Sequence, residues 1–476
     1  MKGAREGYAV SAWLTTAGAF RGEGLRFSIM RQPFDVVVVA QRAVLPDGEQ
    51  ACAIAMAGSQ VAAVEALPHK LTAHRTVTFD DDVVVLPGLV DSHVHVCEPG
   101  NTDWEGFATA TRAAAAGGIT TLVDMPLDSI PTTVDVAALE LKRKAADGQC
   151  HVDVGFWGGV VPGNLGELEP LREAGVLGFK CFLVDSGCEQ FPPVSVAEMD
   201  EALAVIAGLD VPLLVHAESA EVAATLPARH SAHYDDYLRS RPRGLENLAV
   251  AQVVEAARRS GGHAHVCHLS SSDAVPMIRT AQAEGVCVTA ETCPHYLALS
   301  ADDVADGMTS MKCSPPIREG ANRELLWAAL REGVVAGVVS DHSPCTADMK
   351  QQGGGDFATA WGGISSLQVA LPAVWTEARA RGFSLSDIAG WMADRPAKLA
   401  GLGTKGSIEV GKDADLCVLA PEEQFTVDPD RLFHRHRGTP YDGRTLLGVV
   451  RQTWLRGQPV DGHNPAGRLL RRGSRR

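Results

Sequence analysis

The sequence predicts a (β/α)₈ barrel of the TIM type with a small β-sandwich domain made from both chain ends. Apolar runs of strand length alternate with amphipathic helical segments through the middle of the chain, and short β-like runs stand on both sides of this alternation. Eight strand–helix repeats favour a closed parallel barrel. An open doubly wound sheet is the alternative. It would need a glycine-rich phosphate loop after a strand, and none is present at the right place.

The individual elements follow from the length and periodicity of the apolar runs. Predicted barrel strands cover residues 89–95, 119–125, 152–157, 177–183, 212–217, 264–269, 286–291 and 336–341. Amphipathic segments between them include residues 104–116, 196–207, 247–259 and 274–283. Outside the barrel, β-like runs with glycine turns cover residues 34–40, 53–64, 406–419 and 448–460.

These elements predict four parts of the chain. Residues 34–87 and 402–465 together form the β-sandwich domain, and residues 88–401 form the barrel. Residues 1–33 are an extension, either disordered or partly untranslated if synthesis starts at Met30, and a signal peptide is the less favoured interpretation. Residues 466–476 are a basic tail that we expect to be solvated.

Composition excludes several classes of function. Hydrophobic residues make up 45% of the chain and charged residues 21%, which allows a large core. The net charge of −15 argues against a nucleic-acid partner. No apolar run has the length of a membrane span. The 11 cysteines are odd in number and contain no Cys-x-x-Cys pair, so free thiols and a cytoplasmic location are expected.

Polar residues at the ends of the predicted strands carry the chemistry. His93 and His95 close the first barrel strand in PGLVDSHVH, and residues two apart on a strand face the same side. Both imidazoles can therefore reach one point in the barrel mouth. Surface strands also carry such pairs, but this one directly follows an apolar strand, which favours metal binding.

Lys180 lies in the apolar run VLGFKCFL, where a buried ammonium would be costly. It could reach solvent or pair with a carboxylate. The favoured alternative is a neutral lysine that has reacted with carbon dioxide, because an anionic carbamate with two oxygens can bridge two metal ions.

Three further strand ends supply His216, His268 and Asp341. Imidazole and carboxylate ligands suit zinc, with iron, manganese or cobalt as alternatives. Two divalent ions would lower the pKa of a shared water and polarise a carbonyl group. Asp341 is expected to act as the catalytic residue that carries the proton to the leaving nitrogen, which predicts hydrolysis of an amide-like bond.

Other histidines are assigned structural roles. His263 and His265 start the strand that carries His268, so they should face the opposite end of the barrel. His434 and His436 are expected on the surface. His342 and His295 are expected to support the site or the core rather than to bind metal.

The sequence resembles the cyclic amidohydrolases from about Phe34 to Val460. The motifs that carry this resemblance are PGLVDSHVHVCEPG, GFKCFLVDSG, VHAES, CHLSS, ETCPHYL, KCSPPIRE, VSDHSPC and AWGGISSLQ. The resemblance implies metal ligands at the six residues already selected, with Lys180 carboxylated, and a homotetramer. It also implies that backbone groups near Cys313, Ser314 and Gly363 contact the substrate.

Differences between subfamilies bear on the substrate. Dihydroorotases have an arginine where this chain has Cys97, and dihydropyrimidinases have a tyrosine that residues 182–188 lack. GFKCFL and AWGGISSLQ resemble the allantoinase subfamily, which implies ring opening of allantoin, a cyclic ureide, to allantoate. Asp128 stands in MPLDS where the family has asparagine, so its predicted substrate contact could differ. A hydantoinase or dihydropyrimidinase activity is the alternative, and a non-catalytic scaffold is the least favoured one.

Overall fold

Five strands begin the part of the chain that the structure describes. This computed structural model describes residues 33–472, and the predicted extension and the end of the basic tail lie outside the described residues. The strands are β1 (Phe34–Leu45), β2 (Gly48–Ala57), β3 (Gln60–Ala66), β4 (Ala73–Phe79) and β5 (Val84–Pro87). β1 pairs antiparallel with β2 and parallel with β4 and β5. Val36 and Val38 enter one apolar cluster and Val37 enters another, so β1 is buried on both faces.

Eight parallel strand segments follow and close into a barrel. They are β6 (Leu89–Val94), β7 (Ile119–Asp124), β8 (Asp153–Phe156) continued by β9 (Gly158–Gly159), β10 (Phe179–Phe182), β11 (Leu213–His216), β12 (Ala264–Val266), β13 (Val288–Thr292) and β14 (Gly337–Val338). Only Trp157 separates β8 from β9, so the two act as one strand. A parallel bridge between Val94 and His342 joins the first strand to the segment after the last. Each predicted run overlaps one of these strands, and the predicted fold class is confirmed.

Helices occupy the connections between the strands and part of the segment after the barrel. They are α1 (Phe107–Ala116), α2 (Val136–Ala146), α3 (Leu168–Ala174), α4 (Val196–Ala207), α5 (Ala220–Ala223), α6 (Tyr234–Ser240), α7 (Arg243–Ser260), α8 (Val275–Ala283), α9 (Pro294–Ala298), α10 (Gly320–Glu332), α11 (Ala347–Gln351), α12 (Ala370–Ala380), α13 (Leu385–Ala389) and α14 (Arg395–Leu399). α4 has the predicted bounds because Ser195 and Glu198 form a capping box at its start. Between residues 33 and 472, no helix combines the length and apolar character that crossing a bilayer requires.

The last strands return to the sheet in which the described chain begins. β15 (Leu416–Thr426), β16 (Thr445–Leu455) and β17 (Gln458–Pro459) extend it in the order β17-β16-β15-β5-β1-β2-β3. Val36, Ile54, Val418 and Trp454 share one apolar core, so both chain ends build this β domain. Residues from Phe34 onward form one compact unit, and the exact division at residues 87 and 402 stays a prediction.

The described residues of the basic tail are exposed or half-buried, and their backbone pairs with the barrel. Val154 in β8 donates to the carbonyl of Arg468 at 2.9 Å, and Leu470 donates to the carbonyl of Val154 at 2.7 Å. The Arg472 guanidinium also donates to the carbonyls of Leu177 and Asp210. The tail docks because β8 leaves backbone groups that it can pair with.

Candidate metal centre

Six side chains from five barrel strands meet at the carboxyl ends of those strands. His93 and His95 come from β6 and the residue after it, Lys180 from β10 and His216 from β11. His268 and Asp341 lie two and three residues beyond β12 and β14. A cavity of about 550 Å³ opens above them, lined by all of these except His93, which is fully buried beneath. Active sites of barrel enzymes lie at this end.

Asp341 lies at the centre of one half of the group. Its Oδ1 is 3.2 Å from Nε2 of His93 and 3.6 Å from Nε2 of His95. Lys180 Nζ is 3.0 Å from the same His93 nitrogen. The ligand atoms of His93, His95 and Asp341 all lie within 4.8 Å of one another, a spacing that a single ion can span.

His216 and His268 form the other half. Their ring centroids are 4.6 Å apart, and the His268 ring is 5.4 Å from that of His93. The backbone is left-handed at His268 (φ 34°) and at Asp341 (φ 45°), an uncommon conformation for residues with a β-carbon. Strain of this kind is concentrated at functional sites.

Carboxylates behind the histidines determine which ring nitrogen faces the cavity. Glu291 Oε1 is 2.5 Å from Nδ1 of His93, which leaves Nε2 of His93 toward the site. Glu218 Oε2 is 2.8 Å from Nε2 of His216 and also accepts from Arg241, which leaves Nδ1 of His216 toward the site. Sequence reasoning missed both glutamates. Each could have been predicted from an acidic residue at or next to the end of a buried strand, in VHAES and ETCPHYL.

Asp128 supports a third histidine in the same way. Its Oδ2 is 2.7 Å from Nδ1 of His95, and it also lines the cavity. The residue predicted to contact substrate therefore contacts a predicted metal ligand. Within the described residues, Nδ1 of His95 and Nδ1 of His268 are both buried without an aligned hydrogen bond, and only His95 has a carboxylate within ion-pair distance.

Burial and charge separate the histidines into two protonation classes. Burial lowers the pKa of His93 to about 4. Burial and the neighbouring His216 hold the pKa of His268 well below its usual value. Both imidazoles are therefore neutral near pH 7, as metal ligands must be.

His95 and Asp341 are oppositely charged neighbours. Burial opposes the charge on His95, but contacts with Asp128 and Asp341 raise its pKa to about 9. Burial also opposes ionisation of Asp341, and the surrounding histidines nevertheless hold its pKa well below the usual range. A cation at this position would replace the His95 proton as the partner of the carboxylates. The donor set of imidazoles and a carboxylate fits a divalent transition metal.

Lys180 is completely buried, but it is not paired as a structural lysine usually is. Its Nζ contacts the His93 imidazole and lies 5.1 Å from the centre of the Phe182 ring. In the described chain no carboxylate oxygen lies within 4 Å of that nitrogen. An uncompensated ammonium is expensive here, which favours the neutral amine.

Cys313 and Ser314 reach the cavity wall. The Tyr237 hydroxyl donates to the Cys313 carbonyl at 2.8 Å and lies 2.9 Å from Ser314 Oγ. Tyr237 also lines the cavity, and sequence reasoning did not select it. The Cys313 carbonyl thus already has a protein partner, and the assignment of these residues to substrate binding stays a prediction.

Gly363 lies in the loop that covers one side of the cavity. Its φ of 150° and the close approach of the Ser343 carbonyl leave no room for a β-carbon. The Gly363 amide donates to the Lys312 carbonyl at 2.9 Å, so this amide already has a protein partner. The buried Lys312 and the half-buried Lys350 donate to further backbone carbonyls of the same loop.

The remaining histidines lie outside the six-residue group. His342 contacts Glu105 at 3.2 Å and accepts from the Ser366 amide, which is a structural role. His295 is buried against Tyr296. His436 contacts the Asp103 carbonyl. The prediction of a surface position for His434 is wrong: it is 2% exposed and packs 4.7 Å from the His342 ring, because the segment after the barrel folds back over the barrel.

Known proteins resemble this chain over nearly its whole described length. Residues 84–460 match the amidohydrolase family. An allantoinase from Streptomyces avermitilis is 54% identical over 444 residues, covering 92% of this chain and 99% of that protein. An allantoinase from Arabidopsis thaliana is 44% identical over 446 residues, covering 89% of this chain and 88% of that protein.

A solved structure is also similar in fold. The L-hydantoinase (dihydropyrimidinase) from Arthrobacter aurescens superposes with a TM-score of 0.87 at 32% identity, covering 92% of this chain and 100% of that one. The barrel, the β domain and the family match agree with one another. The chain therefore belongs to the amidohydrolase family of hydrolases, among the cyclic amidohydrolases.

Proposed function

We propose that this protein opens the ring of allantoin by hydrolysis of a ring amide, giving allantoate. The observation that carries the proposal is the 54% identity to an allantoinase across almost the entire chain. The convergence of six potential ligands beside a 550 Å³ cavity supports it, since a cavity of this volume accepts a small cyclic ureide.

Two divalent metal ions would be held by the six-residue group, with zinc as the first choice and iron, cobalt or manganese as alternatives. The ligands would be His93, His95, Lys180, His216, His268 and Asp341. When bound, such ions lower the pKa of water and polarise a carbonyl group. The neutral state of His93 and His268 and the ionised state of Asp341 support this assignment.

Lys180 would bridge the ions after carboxylation. Carbon dioxide adds to the neutral Nζ, a nitrogen–carbon bond forms and one proton is released, leaving an anionic carbamate with two oxygens. The absence of a carboxylate partner within 4 Å in the described chain supports this role. A carbamate would also provide the negative charge that the neighbouring histidines and cations need.

Asp341 would transfer the proton during hydrolysis. Water oxygen bonds to the ring carbonyl carbon, the carbon–nitrogen bond breaks, and the nitrogen gains a proton. The Asp341 carboxylate is ionised, lines the cavity and lies among the ligands, so it can accept a proton from the water and deliver it to the nitrogen. Asp128, Cys313, Ser314 and Gly363 would contact the rest of the ring.

A hydantoinase or dihydropyrimidinase activity is the second candidate, favoured by the structural similarity to the L-hydantoinase. It would use the same residues on a different ring. Retention of all six ligands argues against a scaffold without activity. A homotetramer and a cytoplasmic location are further proposals that rest on the family resemblance and composition.

The test compares ring-opening rates of purified, metal-loaded protein on allantoin, hydantoin, dihydrouracil and dihydroorotate. We expect clear preference for allantoin. Preference for hydantoin or dihydrouracil would replace the substrate assignment but keep the metal-ligand assignment. Metal binding without activity on any of the four rings would overturn the assignment to allantoin. Failure to bind metal would overturn the proposed mechanism.

A further inference from the structure

Glu291 connects the candidate metal centre to a histidine at the opposite end of the barrel. One carboxylate oxygen, Oε1, is 2.5 Å from Nδ1 of His93, and the other, Oε2, is 3.1 Å from Nε2 of His265. The side chains of His93, His265 and Glu291 are 0%, 3% and 1% exposed. We propose that His265 is a positioning residue for the metal ligand His93 and acts through Glu291. The inference rests on the proposed metal centre.

Strand register explains why His265 reaches Glu291. β12 and β13 are parallel, with His265 beside Thr289, and Glu291 lies two residues further along β13. Residues two apart on a strand face the same side, so Thr289 and Glu291 both point toward the His265 side chain. The side chain of His265 therefore points away from the 550 Å³ cavity and toward Glu291, the carboxylate that contacts His93.

The contacts from His263 through Thr289 to His265 allow each group to donate a hydrogen bond toward the next one, in the direction of the candidate metal centre. Thr289 Oγ1 lies 2.8 Å from Nε2 of His263 and 2.7 Å from Nδ1 of His265. If His263 donates to the hydroxyl and the hydroxyl donates to Nδ1 of His265, then Nε2 of His265 carries the proton that faces Glu291.

The carboxylate then has a histidine on each side, with a hydrogen bond between His93 and Oε1 and an ion-pair contact of 3.1 Å between His265 Nε2 and Oε2. His265 Nε2–H faces Oε2 and His93 Nδ1–H faces Oε1, so the lone pair of His93 Nε2 is directed at the metal position. A buried carboxylate that loses one of two donors is free to rotate and is poorly solvated. Loss of the His265 donor should therefore disturb the orientation of the His93 ring.

A second cavity lies next to His265 and allows this residue to be substituted. About 340 Å³ of space lies at the opposite end of the barrel, lined by His263, His265, Thr289 and Glu291 together with Arg395, Lys398 and apolar residues. The Ser92 hydroxyl, completely buried and without a hydrogen-bond partner in the described chain, also lines it. Side chains of different chemistry can replace His265 here without displacing the six-residue group.

The experiment compares two substitutions of similar size. His265→Gln retains an N–H donor for Glu291, and His265→Leu removes it. His263→Gln serves as a control, because it changes the same cavity, keeps an N–H donor for the Thr289 hydroxyl and does not contact Glu291. For each full-length protein, zinc affinity is measured by chelator competition, zinc content after dialysis by elemental analysis, and kcat and KM on the preferred ring. Thermal unfolding of the metal-free proteins reports structural damage.

We expect His265→Leu to weaken zinc binding about 10- to 100-fold, the usual effect of losing an outer partner of a metal ligand. Its kcat should fall while KM stays near the wild-type value, and His265→Gln should recover most of both losses. His263→Gln should match the wild type. The metal-free variants should unfold at similar temperatures.

Three results would overturn the inference. The first is wild-type zinc affinity and kcat in His265→Leu. The second is an equal loss in His265→Leu and His265→Gln, which would indicate packing alone. The third is an equal loss in His263→Gln. Wild-type protein that binds no zinc would instead refute the proposed function, and the inference with it.

Discussion

Two lysines lie fully buried at opposite ends of the same barrel, and their surroundings differ in one respect. Lys405 Nζ is 2.6 Å from carboxylate oxygens of both Asp153 and Asp415 and 3.1 Å from one of Asp413. Lys180 has imidazoles and an aromatic ring around it. Both positions exclude water, but only the first supplies negative charge.

The difference separates a structural lysine from the one that we propose to be carboxylated. Burial opposes the charge on Lys405, but Asp415, Asp153 and Asp413 outweigh it and raise its pKa. The three aspartates could be mistaken for a metal site, but the ammonium already lies among them. Lys180 has no such compensation. Burial alone therefore does not identify a reactive lysine; Lys180 differs from Lys405 in lacking a carboxylate partner and in contacting the His93 imidazole.

Lys180→Met should give the largest effect. The change keeps the volume of the side chain but removes the amine that would carry the bridging carboxylate. Activity should fall by more than the roughly 100-fold that loss of an outer partner causes, because a direct ligand is lost. Turnover on the preferred ring and metal content per chain are the measurements. The metal-free protein should be at least as stable as the wild type, since no charge pair is broken. A variant that retains two metals and full activity would refute the carbamate.

Lys405→Met should lower the stability of the protein and leave its activity unchanged, the opposite of Lys180→Met. It leaves the buried carboxylates of Asp413 and Asp415 without a cation, while Asp153 keeps the Arg456 guanidinium, so we expect a loss of about 3–5 kcal/mol in stability. Turnover per folded molecule and metal content should not change. Because the pKa of Lys405 is raised, its stabilisation is fully present below the unfolded value near 10.4 and is lost only at higher pH.

The matched control for this prediction is Lys412→Met. Lys412 pairs with Glu409 at 3.2 Å on a partly exposed surface, so its loss should cost at most about 1 kcal/mol. Urea unfolding at pH 7 and pH 9 measures both variants. Equal, small losses for Lys405→Met and Lys412→Met would contradict the structural role of Lys405.

The strands of the barrel were predictable because their apolar runs are continuous. Parallel strands buried on both faces give this pattern, and the six strand-end residues stand out against it as polar interruptions. The partners of those residues were harder to predict. Glu291 and His265 are brought together by strand register, which no local sequence pattern reveals. Asp128 was predicted to contact the substrate because the sequence shows only its neighbours along the chain and not its contact with His95.

Contacts of the residues after the barrel were missed for a related reason. His434 and the tail near Leu470 carry polar neighbours typical of solvent-exposed chain, but His434 is buried and the tail is paired through contacts with segments far away in sequence. The tail pairs with Val154, which lies more than three hundred positions earlier. Contacts of this range leave no periodic signal in the segment that makes them.

Arg472→Ala should give the smallest effect and tests whether the tail is docked as the structure has it. The guanidinium donates to the Leu177 carbonyl at 3.0 Å and to the Asp210 carbonyl at 2.6 Å. Loss of these bonds should lower the free energy of unfolding by about 1 kcal/mol, with no change in turnover, because the tail lies at the Lys405 end of the barrel. The control is Lys144→Ala, which removes an exposed cation from α2. The urea midpoint should fall for Arg472→Ala and stay constant for Lys144→Ala. Identical midpoints would indicate a solvated tail, as its composition alone predicts.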